Sequence, residues 1–194
     1  MQRIYRLLPS NNSTVLALPN ENYPLECLLF DGKPKSHWWS PLPCHLHKPK
    51  KYRTTFARFC LIPVCAETLL IDDTVLASLV GRSCEYLQLV LGPSKLVAIH
   101  VIKTSDCLDR PASRIAFVDN DIYRFCLGKV PFGEIFTIEG MTSTRFVASD
   151  SNLPPEEDFY QWYHKQGYTG LDFKLLWQSE EWGNGGDDGV IAPR

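Results

Sequence analysis

Seven prolines, Pro9, Pro19, Pro24, Pro34, Pro41, Pro43 and Pro49, punctuate the first fifty residues. Each fixes its own φ, removes a backbone donor and biases the residue before it away from the helical region. No long helix fits between them. The intervals suit short extended pieces joined by turns, and Arg3 to Leu8, Thr14 to Leu18 and Leu25 to Phe30 are the strand candidates. Asp31-Gly32 is a turn signal after the third.

The same rhythm continues downstream. Tyr86 to Leu91 stops at Gly92-Pro93 and Leu96 to Lys103 follows, which predicts a hairpin. Ser113 to Val118, Ile122 to Leu127, Ile135 to Ile138, Arg145 to Ser149 and Leu171 to Trp177 are further short strands, separated by Asp/Asn/Gly turns. Two helices interrupt them. Asp72 or Asp73 can cap one carrying the stripe Val75, Leu76, Leu79 and Val80, with Gly81 as its stop. Pro155 to Lys165 is the second, with Phe159, Trp162 and Tyr163 at i, i+3 and i+4. The expected fold class is α+β: a mainly antiparallel sheet with two or three packed helices, in a single domain over 1–177. Residues 178–194, with four glycines and four acidic residues, read as a disordered acidic tail.

The chain has 194 residues, 44% hydrophobic and 22% charged. That length supports a core without metal or disulfide staples. Arg3 and Arg6 precede no apolar run of signal-peptide length, and no apolar stretch is long enough to span a membrane, which places the expected location in the cytoplasm. The seven cysteines, an odd number without a CxxC pair, read as reduced thiols that serve mostly as small apolar side chains. Net charge is −2 but is polarised: residues 1–60 carry nine basic and three acidic groups, and the remainder eleven and nineteen. No broad basic face for nucleic acid emerges, and the short run His47 to Arg53 reads as a solvated loop.

Chemistry is hard to assemble from these residues. Cys44, His45 and His47 lack the second ligand group of a zinc site and read as a surface loop, so no metal is expected. Asp106, Cys107 and Asp109, with His100, are the material for a small cysteine- or carboxylate-based hydrolase, but turn-forming side chains are the preferred reading of Asp106 and Asp109, since no apolar pocket or general base can be tied to them. His100 shares an apolar face with Leu96, Ala98 and Ile102, the setting of a core histidine. No catalytic residues and no cofactor are assigned. Trp38 and Trp39 are adjacent, so on an extended segment they face opposite ways, and one of them is a candidate anchor for a partner.

In this order the segments FDGKPKSHWW, LLIDDTVLASL, SDCLDRPAS, NDIYRF, GEIFTIEG, RFVASD and YTGLDFKLLW are spread along residues 28–177. The pattern resembles the immunity-protein-11 type of bacterial immunity proteins found beside polymorphic toxins. The resemblance implies a non-enzymatic antitoxin that binds and neutralises a cognate toxin encoded by an adjacent gene, with no nucleic-acid or membrane partner. The residues assigned to the binding face are Trp38, Trp39, Glu156, Glu157, Asp158 and Trp162. Residues 155–194 carry three basic and eight acidic groups, which suits a basic toxin. The alternatives are the small hydrolase and an effector adaptor or chaperone, which would promote delivery instead of protection.

Overall fold

The computed structural model describes residues 1–10, 16–19, 33–47, 59–62, 68–72, 84–91, 94–115 and 121–179. Eleven strands are found among them: β1 Gln2–Pro9, β2 Leu16–Pro19, β3 Leu42–His47, β4 Phe59–Ile62, β5 Thr68–Asp72, β6 Cys84–Leu91, β7 Ser94–Val101, β8 Thr104–Ser105, β9 Ile135–Ile138, β10 Met141–Asp150 and β11 Leu171–Gln178. They form two sheets, ordered β11-β1-β10-β9-β8 and β2-β3-β6-β7-β5-β4. Pairing is antiparallel except for β3 with β6 and β8 with β9.

The expectation of two or three packed helices is corrected. Among the described residues there is one α-helix, α1 at Phe159–Lys165, and a 3-10 turn at Leu127–Lys129. Asp72, read as a helix cap, closes β5 instead and pairs with Leu96. The apolar, partly β-branched run Thr68–Asp72 is short enough to sit between two neighbours, β4 and β7, as a central strand. The stripe from Val75 to Gly81 lies outside the described residues, as do the strand read at Leu25 to Phe30 and the turn at Gly92-Pro93. Of the strands read at Ser113 to Val118 and Ile122 to Leu127, residues 116–120 lie outside the described residues, and the described remainder forms no regular strand, pairing only at the isolated bridges Leu108–Phe125 and Arg114–Ile122. Gln178 belongs to β11, and Ser179 N bonds Gln2 O at 2.8 Å, so the segment read as a tail starts later than 178. From 180 onward it lies outside the described residues.

The first sheet is covered on both faces, and its β9, Ile135–Ile138, is buried at every position. Leu7, Ile135, Val147 and Leu171 on one face join Val97, Ile99 and Val101 of β7 and the aromatic stripe of α1. β4 lies against β1 and β11, and β7 against β9, so the two sheets stack there. Ile4, Phe136, Ile138, Phe146 and Ala148 on the other face are covered by the irregular segment that contributes Cys107, Leu108, Tyr123 and Val130. Asp158 caps α1: its Oδ1 accepts from Gln161 N at 2.9 Å and its Oδ2 from Asp150 N at 2.8 Å. Pro155 to Glu157 form a turn ahead of that cap, which is why the helix begins at Phe159. Gly133, at φ +89°, lets the chain pass so close to Glu157 that a Cβ there would sit 2.5 Å from its carbonyl oxygen. No described helix is long and apolar enough to cross a membrane.

Candidate interaction site

On β6 and β7 the residues Glu85, Leu87, Leu89, Ala98 and His100 are all buried, and they share one face by strand alternation. Two of the five are ionisable. Glu85 and His100 are register partners, with His100 Nδ1 3.0 Å from Glu85 Oε2. The carboxylate reaches further, to the segment 33–40. Lys35 N donates to Oε2 at 2.7 Å and Ser36 N donates to Oε1 at 3.0 Å.

Burial pushes the Glu85 carboxyl up, but the bonds from Ser36, from the Lys35 and Ser36 backbone and from His100 outweigh it and hold the pKa at about 2. Burial drives His100 below its ordinary value. Glu85 opposes that shift, while the charges of Lys35 and Arg145 add to it. At neutral pH the pair is therefore a carboxylate facing a neutral imidazole. An ionised carboxylate only accepts, so Nδ1 carries the ring proton.

This carboxylate holds a single helical turn in place. Trp38 N and Trp39 N both donate to Lys35 O, at 3.1 and 3.0 Å. Pro34 presets the backbone on entry and Pro41 prevents continuation beyond Ser40. The adjacent tryptophans then divide their roles. Trp39 is half-buried, and its Nε1 donates to Gln88 O of β6 at 3.0 Å. Trp38 stands 52% exposed. Its ring has Lys35 Nζ 5.4 Å from the centroid, His37 edge-on at 6.5 Å and Trp39 tilted at 6.1 Å. The result is an indole presented on a turn tied to the sheet at three points, two through its backbone at Lys35 and Ser36 and one through the Trp39 side chain.

The other residues assigned to a binding face separate. Glu156 and Glu157 are exposed in the turn before α1. Asp158 is fully buried and fully used as the helix cap. Trp162 is buried in the core, its ring 5.6 Å from Phe159 and 5.1 Å from Tyr168. Neither Asp158 nor Trp162 is presented at the surface. The i, i+3, i+4 spacing that marked Trp162 is the signature of the packed face, and Asp158 immediately before it is the signature of a cap. Glu85 was missed because a lone acid in an apolar strand gives no sign of which backbone donors approach it.

The residues of the hydrolase alternative are also dispersed. Cys107 is completely buried, and burial pushes its thiol up. His100 is engaged by Glu85. Asp106 pairs with Lys129 at 3.3 Å, with both side chains more than half exposed. Asp109 Oδ1 accepts from Ala112 N at 3.2 Å, which is the turn geometry. Asp106 and Asp109 do line an open groove of about 650 Å³ with Arg110, Cys126 and Glu139, where Arg110 bonds the Glu139 carbonyl. Among the described residues no group of three or more His, Cys, Asp or Glu side chains could hold a metal. Cys44, His45 and His47 lie on strand β3, paired with β2, and not on a loop. The run from Lys48 to Arg53 lies outside the described residues. The chain matches no protein-family model and no curated protein.

Proposed function

We propose that this protein acts by binding another protein, as an immunity protein that neutralises a cognate toxin, and that Trp38 is an anchor of that contact. The observation that carries the reading is the braced, half-exposed indole on the Lys35–Trp39 turn. A tryptophan fixed by its own backbone bonds loses little conformational freedom on binding, and a large aromatic surface in a desolvated contact is where binding energy concentrates. The ordered motifs from FDGKPKSHWW to YTGLDFKLLW support the same reading through their resemblance to polymorphic-toxin immunity proteins. The exposed pair Glu156 and Glu157 supplies a small acidic patch that suits steering of a basic partner.

The test is co-expression with the product of the adjacent gene. Cells that carry both survive, and cells that carry the toxin alone do not. Toxicity unchanged by the chain, or no toxic neighbour, removes the reading. Export of the effector without protection of the producing cell would assign an adaptor role instead.

A further inference from the structure

Cys126 lines the groove at Asp106 and Asp109 and Cys107 lies buried behind that wall, two thiols that the binding reading does not use. Leu108 and Phe125 form an isolated antiparallel bridge. The bonds that flank it are Asp109 N to Arg124 O at 2.9 Å and Cys126 N to Cys107 O at 2.8 Å. That pattern makes Leu108–Phe125 a non-hydrogen-bonded pair and sets Cys107 opposite Cys126 at the next, hydrogen-bonded position. Residues directly opposite in an antiparallel ladder carry their side chains on the same face, with Cα atoms about 5.5 Å apart at such a position. A disulfide needs a Cα separation of roughly 4.4–6.8 Å.

The two sulfurs are unequal. Cys126 is exposed and lines the groove. Cys107 is buried among Ile138, Met141 and Phe146 of the core, with Ser105 beside its thiol. An accessible sulfur that meets an oxidant first, next to a sheltered sulfur that can resolve it, is the arrangement of a reversible dithiol.

We propose that Cys107 and Cys126 form a peroxide-responsive dithiol that closes to a disulfide across the groove wall. The Cys126 thiolate attacks hydrogen peroxide, the O–O bond breaks, and Cys126 becomes a sulfenic acid while the other oxygen leaves as water after taking a proton. The Cys107 sulfur then attacks the Cys126 sulfur. The S–O bond breaks and hydroxide leaves with the Cys107 proton as a second water. Two thiols lose two electrons and two hydrogens, and one peroxide is reduced to two waters. The proposal stands independently of the binding reading.

The full chain, fully reduced and then treated with hydrogen peroxide, is blocked with an alkylating reagent, digested without reductant and analysed by mass spectrometry. The expected product is a Cys107–Cys126 linked peptide pair lighter by two hydrogens, reversed by dithiothreitol. Cys126→Ser, a surface change, abolishes the link without altering the melting temperature of the reduced protein. Cys107→Ala, which retains an apolar side chain in the core, leaves Cys126 as a sulfenic acid that dimedone traps. Should Cys107→Ala fail to fold, the wild-type digest and Cys126→Ser decide alone. Oxidation of Cys126 to sulfinic acid with Cys107 still reduced, a link to another cysteine, or no link at all overturns the proposal.

Discussion

Replacing Glu85 with glutamine keeps the length and shape of the side chain and removes its charge. In the native protein that charge accepts hydrogen bonds from Lys35 N at 2.7 Å, Ser36 N at 3.0 Å and His100 Nδ1 at 3.0 Å. These bonds bring the carboxyl from its ordinary 4.5 to about 2. At about 1.4 kcal/mol per pKa unit, the shift corresponds to a preference for the ionised form of about 3 kcal/mol. A glutamine retains one acceptor oxygen but turns an NH2 toward a donor, so the expected loss at pH 7 is about 2–3 kcal/mol. The pH dependence sets the sign. A group whose folded pKa is depressed contributes above its unfolded value and loses that contribution as pH falls through the folded one. The gap between wild type and Glu85→Gln is therefore full above about pH 5 and closes as pH falls from about 4.5 toward 2. The depressed pKa of His100 adds a separate loss of stability below its ordinary 6.5, because the fold disfavours the protonated ring. Urea unfolding, followed by circular dichroism at a series of pH values, measures both effects. A variant within about 0.5 kcal/mol of wild type at pH 7, or a gap that persists unchanged into acid, would refute the reasoning.

Three further substitutions probe buried positions, with a fourth at exposed Gly128 as the control. Trp162→Ala, which removes a buried ring packed on Phe159 and Tyr168, is expected to cost about 3–5 kcal/mol in denaturant unfolding. Asp158→Ala removes the cap of α1 and strands Asp150 N, and should cost about 1–2 kcal/mol, read as a lower melting temperature. Gly133→Ala forces a side chain into a positive-φ position against the Glu157 carbonyl, and is expected to lower the melting temperature where Gly128→Ala, with nothing near its Cβ, does not.

Much of the strand pattern is visible to the eye in the chain, because turn residues bracket it. Ile135–Ile138 lies between a Gly-Glu and a Glu-Gly, and β6 and β7 flank Gly92-Pro93. What escapes is decided by partners far away in sequence. Thr68–Asp72 is strand because β4 and β7 lie on either side of it, although Asp72 carries the chemistry of a helix cap. Tyr123 and Phe125 alternate as a strand would, yet the segment covers the apolar face of the first sheet and pairs only at single bridges. At the candidate site the paired tryptophans were legible as residues, but the extended-chain alternation used to separate them does not hold, because they stand on a helical turn closed by Lys35 O. The role of each was not legible, because it depends on Gln88 O and on the Glu85 carboxylate, about fifty positions downstream. Asp158 and Trp162 carry the residue types of a binding face but stand at cap and core positions, and the packing of α1 claims them.

The role proposed for Trp38 is that of a contact anchor held ready by the Lys35–Trp39 turn. Isothermal titration of the adjacent-gene product with wild type and with Trp38→Ala tests this most directly. The expected result is an affinity loss of about 2 kcal/mol or more, roughly 30-fold, with the melting temperature of the free protein unchanged. Equal affinity of the two proteins would contradict it.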